Sequence, residues 1–260
     1  MSSPLVVHDC NIVELRQYTL HPGQRDVLIE LFDREFVESQ EAVGMAVMGQ
    51  FRDLDDPDRF VWLRGFADMP SRLTGLSAFY GGPVWQAHRG VANATMIDSS
   101  NVLLLRPAWQ GSGIEMVGRR RVAPGASATV AGLVDASIFY LHEPASNELL
   151  DVFRYTVSPV LSQAGAAVLG WYVTESAPNN FARLPVREAE QVLVGLAMFD
   201  ELGAFDAFVR SGIWAREVQP RIAKCLARPT ESHRLLPTAR SAIHAQDRQR
   251  PPPGGAACSS

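Results

Sequence analysis

Glu14-Leu15-Arg16-Gln17-Tyr18 decides the reading of this chain, because the series of elements that it opens is run through a second time. Val13, Leu15 and Gln17 alternate with Glu14, Arg16 and Tyr18, the period-two pattern of a strand. Pro22-Gly23 turns the chain into a helical pattern reaching about Glu41, with Leu28, Leu31, Phe32 and Phe36 on one face. Strand-like runs follow at 45–53 and 59–66, joined by the turn-rich Asp53-Leu54-Asp55-Asp56-Pro57-Asp58. Gly81-Gly82-Pro83 stops one helix and starts the next, which runs to Ala94, and an apolar run at 101–106 closes the series.

The second series opens with a strand at 137–142 and a helix at 145–163, whose Leu149, Phe153, Val157, Val160 and Leu161 share a face. Strand-like runs at 166–175 and 190–199 come next, then a helix from Gly212-Ile213-Trp214 to about Leu226, and a final run at 233–236. Tyr140 lies 122 residues beyond Tyr18, and Trp214 lies 129 beyond Trp85. A β-α-β-β-α-β order used twice at that spacing describes two copies of one domain, since solenoid repeats are much shorter. The expected class is α+β: two tandem ferredoxin-like domains forming a pseudo-dimeric α+β barrel around a cavity. The boundaries read as a first domain at 11–107, a linker at 108–134, a second domain at 135–244 and an unordered tail at 245–260. The stretch 114–135 reads as an extra strand, a loop or a short helix.

Bulk properties narrow the functional classes. The chain has 260 residues, 47% hydrophobic and 20% charged, as in globular proteins. A net charge of −4, with only the short basic run Arg119-Arg120-Arg121, gives no reason to expect nucleic acid or an anionic membrane surface as partner. Lys224 is the only lysine, so lysine chemistry has nowhere else to sit. Cys10, Cys225 and Cys258 are too scattered for a disulfide framework or a zinc site. No export signal and no 18-residue apolar run is visible, so the reading is cytoplasmic. Phosphate-cradling glycine loops, nucleophile elbows and paired metal histidines are not found in the sequence, and no cofactor is expected.

Glu14-Leu15-Arg16-Gln17-Tyr18, Phe51-Arg52-Asp53-Leu54-Asp55, and Gly82-Pro83-Val84-Trp85 with His88 and Asn93 resemble the NIPSNAP family. The resemblance spans 13–107 and continues in register, more faintly, over 136–239. It implies the dimeric α+β barrel fold, whose members include cofactor-free oxygenases of aromatic polyketides, lactone isomerases, haem enzymes and proteins with no known chemistry. Fold of this kind does not settle function.

If Glu14, Arg16 and Tyr18 face the barrel, Gln50 or Arg52 and Trp62 or Arg64 join them from adjacent strands. A carboxylate beside a guanidinium stays charged and orients a ligand, and a phenol can donate to a developing enolate. Equally, Glu14 and Arg16 could be a register-fixing pair on an exposed edge. With Tyr140 set opposite Tyr18, the partners of Glu14 and Arg16 become Ala136 and Ile138. The polar groups are therefore expected in the first unit, with Phe139, Tyr140, Trp171 and Tyr172 as an apolar wall from the second. His88 follows Trp85 on one helix side and reads either as a general base or as a packing residue with Asn93. The connection at 176–187, with Asn179, Asn180 and Phe181, reads as a lid or as a staple between units. Two functions stay open: a cofactor-independent enzyme that oxygenates or isomerises an enolisable carbonyl, or a non-catalytic binding or interaction module. The expected partner is a small apolar or aromatic metabolite, with further pairing into a homodimer left open by the exposed sheet edges.

Overall fold

The computed structural model describes residues 10–125 and 130–245. The expected lead-in before residue 10 and the tail beyond residue 245 lie outside these. Ala245 itself is tied down by an isolated antiparallel bridge to Ala131.

Four strands come from each half. They are β1 (Ile12–Leu20), β2 (Ala46–Asp53), β3 (Arg59–Phe66) and β5 (Val102–Pro107), then β6 (Leu133–Leu141), β7 (Ala167–Thr174), β8 (Gln191–Phe199) and β9 (Glu231–Pro237). A short β4 (Met96–Asp98) attaches to the end of β1. Within the halves the orders are β5-β1-β3-β2 and β7-β8-β6-β9, every pairing antiparallel. The halves join through β2–β9 and β5–β7, so the last strand of each meets the second strand of the other and eight strands close into a barrel. Closure leaves these strands no free edge.

Helices cover the outside. The first half has α1 (Arg25–Leu31), a π turn (Phe32–Phe36) and α2 (Val37–Glu41), then α3 (Met69–Gly81) and α4 (Pro83–Thr95). The second has α5 (Asn147–Val152), a π turn (Phe153–Val157) and α6 (Ser158–Gln163), then α7 (Leu202–Ser211), a π turn (Trp214–Val218) and α8 (Gln219–Ile222). The Asp68 carboxylate caps α3 by accepting from the Ser71 backbone at 2.7 Å. Gly75 lets α3 lie close to the sheet, since a Cβ there would stand 3.0 Å from Met45 Cγ. Among the described residues no helix is long and apolar enough to cross a membrane.

The barrel interior overturns one expectation: it is a packed core, not a cavity. Leu15, Phe51 and Leu63 from one half meet Ile138, Tyr172, Leu196 and Leu235 from the other, all nearly or wholly buried. Inward positions carry mainly aliphatic and aromatic side chains, with Gln17, Asp53 and His233 as buried polar exceptions, and an eight-stranded barrel is narrow enough for them to fill. Ile114 and Met116, from the stretch between the halves, join this core together with Ala242 and Ile243. The described part of that stretch forms no named strand or helix; Ile114 is held by donating its backbone N–H to the Tyr172 hydroxyl at 2.8 Å.

Candidate functional site

Because Val13 and Leu15 point into the barrel, alternation sends Glu14, Arg16 and Tyr18 the other way, beneath the helices. The polar constellation is therefore real, but it lies between sheet and helices of the first half. Glu14, Arg16 and Arg64 are fully buried. Cross-strand register brings Arg64 opposite Glu14 and Trp62 opposite Arg16.

Glu14 is the hub. One carboxylate oxygen accepts from Arg16 at 2.6 Å and from Arg64 Nη2 at 2.6 Å, and the other accepts from Arg72 Nε at 2.7 Å. Burial works against its charge, yet Arg64, Arg16 and Arg72 together outweigh burial and hold the carboxyl well below its ordinary range. Burial lowers the Arg72 guanidinium, with Glu14 opposing the change. Arg64 also donates to Gln40 Oε1 at 2.9 Å. The Tyr18 hydroxyl accepts from Arg16 Nε at 2.9 Å, and burial raises that phenol although Arg16 pulls the other way. The Arg16 and Arg64 guanidinium carbons lie 5.6 and 5.0 Å from the Trp62 ring centroid.

Three guanidiniums against one carboxylate leave a buried excess of positive charge. Arg16 Nη2, Arg72 Nη2 and Trp62 Nε1 are buried and make no hydrogen bond among the described residues. Beside them lies an aromatic recess of about 30 Å³, lined by Tyr18, Phe32, Phe36, Trp62, Tyr80 and Trp85 among others. Phe32 and Phe36 bracket the first π turn, a distortion often found at functional positions.

The 175–190 connection of the second half closes the site. Arg72 Nη1 donates to Asn179 Oδ1 at 3.0 Å and to Asn180 Oδ1 at 2.6 Å. Asn180 Nδ2 donates to the Met69 carbonyl, and Phe181 stacks on Tyr80 with centroids 5.9 Å apart. It covers this cluster on the helix side, away from the barrel core, and ties the halves together as a staple.

Other expected residues separate from this group. Arg52 pairs with Asp26 at 2.7 Å near the surface, away from Glu14. His88 sits 3.5 Å from Glu35 on the outer side of the helices, and Asn93 is exposed, so neither joins the cluster. Trp85 does line the aromatic recess. Phe139 and Trp171 belong to the second half's helix-side core, whereas Tyr140 and Tyr172 lie in the barrel, so the four form no common wall. Arg72 and Gln40 were not expected. Arg72 had a readable signal: with Gly75, Leu76 and Phe79 it recurs at helical spacing on the buried face of α3. Among the described residues no group of His, Cys, Asp or Glu could hold a metal ion.

The repeat also superposes differently from the tyrosine match. Leu15 faces Leu63, which faces Gly49 just past a bulge; Ala136 faces Leu196, which faces Gly170 just past the same bulge. Thus Glu14 corresponds to Asp135, Arg16 to Ser137, Tyr18 to Phe139, Trp62 to Gly195 and Arg64 to Ala197. Counting from the helix starts at Met69 and Leu202 places Arg72 on Phe205. The second half keeps the acid and loses every arginine.

Comparison with known proteins agrees with this geometry at the level of family and fold. Residues 13–110 match the NIPSNAP family model. A candidate monooxygenase from Lactobacillus acidophilus superposes with a TM-score of 0.55 at 11% identity, over 92% of this chain and 100% of that one. An anthrone oxidase-like protein gives 0.51 at 11% identity, over 92% and 97%. A NIPSNAP family protein from Agrobacterium tumefaciens is 21% identical over 37% of this chain and 92% of its own, with a TM-score of 0.35. No curated protein matches the chain.

Proposed function

From the match of residues 13–110 to the NIPSNAP family model and from the α+β barrel fold, we propose that this chain binds a small aromatic or apolar molecule bearing an anionic group. A carboxylate or an enolate would serve, seated between sheet and helices rather than inside the barrel. The supporting observation is the charge imbalance around Glu14. A buried guanidinium without a counter-ion costs several kcal/mol, of order 3–5 when a partner is removed. An anion held by the free Nη2 groups of Arg16 and Arg72 and the Trp62 indole N–H supplies what the protein leaves out. The rings of Phe32, Phe36 and Trp85 then hold the apolar part.

A recess of about 30 Å³ holds little more than a water molecule. Entry therefore requires the Asn179–Asn180–Phe181 segment to lift from Arg72 and Tyr80. Arg72 Nη1 holds the two asparagine side-chain oxygens while its Nη2 has no partner, so lifting the segment uncovers a guanidinium able to take an anion.

Catalysis is the second reading, favoured by Tyr18. Its oxygen accepts from Arg16, so its own O–H is left to donate to an oxyanion held by the same guanidinium. Cofactor-independent oxygenation or isomerisation of an enolisable carbonyl fits such a site. His88 has no place in that scheme, and Glu14, saturated by three arginines, is a poor base. A non-catalytic binder needs only the anion contact.

The test is a thermal-shift screen of aromatic carboxylates and enolisable dicarbonyls against the parent, Arg16→Gln and Arg72→Gln. Ligands that raise the parent midpoint should do so far less in both variants. A shift that persists in both removes the reading.

A further inference from the structure

The position equivalent to Glu14 in the second half opens onto real space. Between β6 and the α7–Trp214 region lies a cavity of about 340 Å³, lined by Asp135, Ser137, Ser232, Phe205, Phe208 and Trp214 among others. That volume falls within the range of small-molecule pockets, roughly 300–1,000 Å³. Gly212, with φ of 64°, ends α7 in the left-handed conformation and swings Trp214 back over the cavity.

Asp135 is 9% exposed. Its Oδ1 accepts from the Ser232 hydroxyl at 2.6 Å and its Oδ2 from the Ser137 hydroxyl at 2.9 Å. Where Glu14 meets Arg16, Arg64 and Arg72, Asp135 meets Ser137, Ala197 and Phe205. Its cross-strand neighbour Arg234 is turned to Asp55, donating at 3.0 Å. His233 exerts some pull but faces the other side of β9, held between Asp53 and Glu231 at 2.8 Å each. Among the described residues no ion pair involves Asp135. Burial accordingly raises its pKa.

A buried carboxylate short of a cation, facing aromatic rings across open space, is complementary to an organic cation. We propose that the second half carries a ligand site of opposite charge preference to the first: a small organic ammonium, seated among Phe205, Phe208 and Trp214, with Asp135 as its counter-ion. Ser137 and Ser232 hold the carboxylate toward the cavity. This site is separate from the Glu14 cluster and does not rest on the reading given to that cluster.

The test is calorimetric titration of the full chain with benzylamine, at mildly alkaline pH where carboxylate and ammonium are both charged. Benzyl alcohol serves as the neutral control. The parent should bind benzylamine saturably and benzyl alcohol much more weakly. Asp135→Asn should weaken benzylamine binding by about tenfold or more, the worth of a charge-assisted hydrogen bond. Val209, 58% exposed at the cavity wall, offers a second handle. Val209→Trp should block entry while circular dichroism stays that of the parent, which keeps the test decisive if Asp135→Asn does not fold. No saturable heat in the parent, equal affinity for benzyl alcohol, or unchanged binding in folded Val209→Trp would overturn the proposal.

Discussion

Glu14 on β1 and Asp135 on β6 occupy the same place in the two halves of the fold, yet one is held by three arginines and the other by two serine hydroxyls. Both halves have an acid at this position, on the corresponding strand. The groups around it differ, giving one half an excess of buried positive charge and the other a buried negative charge beside open space. One location in the fold thus carries opposite electrostatics in the two halves.

Removing the hub should therefore be costly. Glu14→Gln leaves Arg16, Arg64 and Arg72 buried without a counter-ion and should destabilise the protein by about 3–5 kcal/mol. Asp135→Asn removes a charge that burial already disfavours and should cost about 1 kcal/mol or less. Denaturant midpoints of the two variants give the comparison; equal losses would mean that Glu14 is not the organising charge.

The covering segment should loosen when its anchor is cut. Asn180→Ala removes the contacts to Arg72 and to the Met69 carbonyl and should cost about 1–2 kcal/mol. Hydrogen exchange should rise over residues 175–190 and stay at the parent level in β1 and β3. Unchanged exchange there would show that the loop is held by other means.

The barrel seam makes a pH prediction. Burial works against the charge on His233, but hydrogen bonds to Asp53 and Glu231 outweigh it and raise its pKa from 6.5 to about 9. A raised folded pKa means stability that is fully present below pH 6.5 and lost as pH rises through 9. Glu231, lowered from 4.5 to about 2 chiefly by its bond to His233, contributes stability present above pH 4.5 and lost as pH falls through 2. The stability gap between the parent and His233→Gln should thus be flat from pH 4.5 to 6.5 and shrink toward pH 9. A gap that widens with alkaline pH would refute the assignment.

A packed barrel makes a simpler demand. Leu63→Ala and Leu196→Ala, at corresponding inward positions, should each cost about 2–5 kcal/mol through lost contact and residual cavity. Small losses at both would mean that the interior tolerates empty space.

The doubled strand order, the two-sided character of β1 and the family motifs were legible in the chain. Which side of β1 meets the barrel was not, because both of its faces are buried. Alternation separates Glu14, Arg16 and Tyr18 from Val13 and Leu15 but carries no label for inside and outside. The Glu14 group was assigned to the expected cavity, whereas the barrel is filled mainly with aliphatic and aromatic side chains and Glu14, Arg16 and Arg64 sit under the helices. The repeat register failed for a related reason. Matching Tyr18 to Tyr140 follows residue identity, while the true register is fixed by bulges at Gly49 and Gly170 that no local pattern announces. Arg72 was readable from its helical stripe. Its asparagine partners lie 107 and 108 residues away, a pairing that only the closed barrel creates.

Calorimetric titration of benzoate and benzamide into the parent and Arg72→Gln addresses the positive site most directly, since the two ligands differ chiefly in charge. The account predicts saturable benzoate binding, at least about tenfold weaker binding of benzamide, and loss of that preference in Arg72→Gln. Equal affinities for the two ligands, or a benzoate preference that survives in Arg72→Gln, would contradict it.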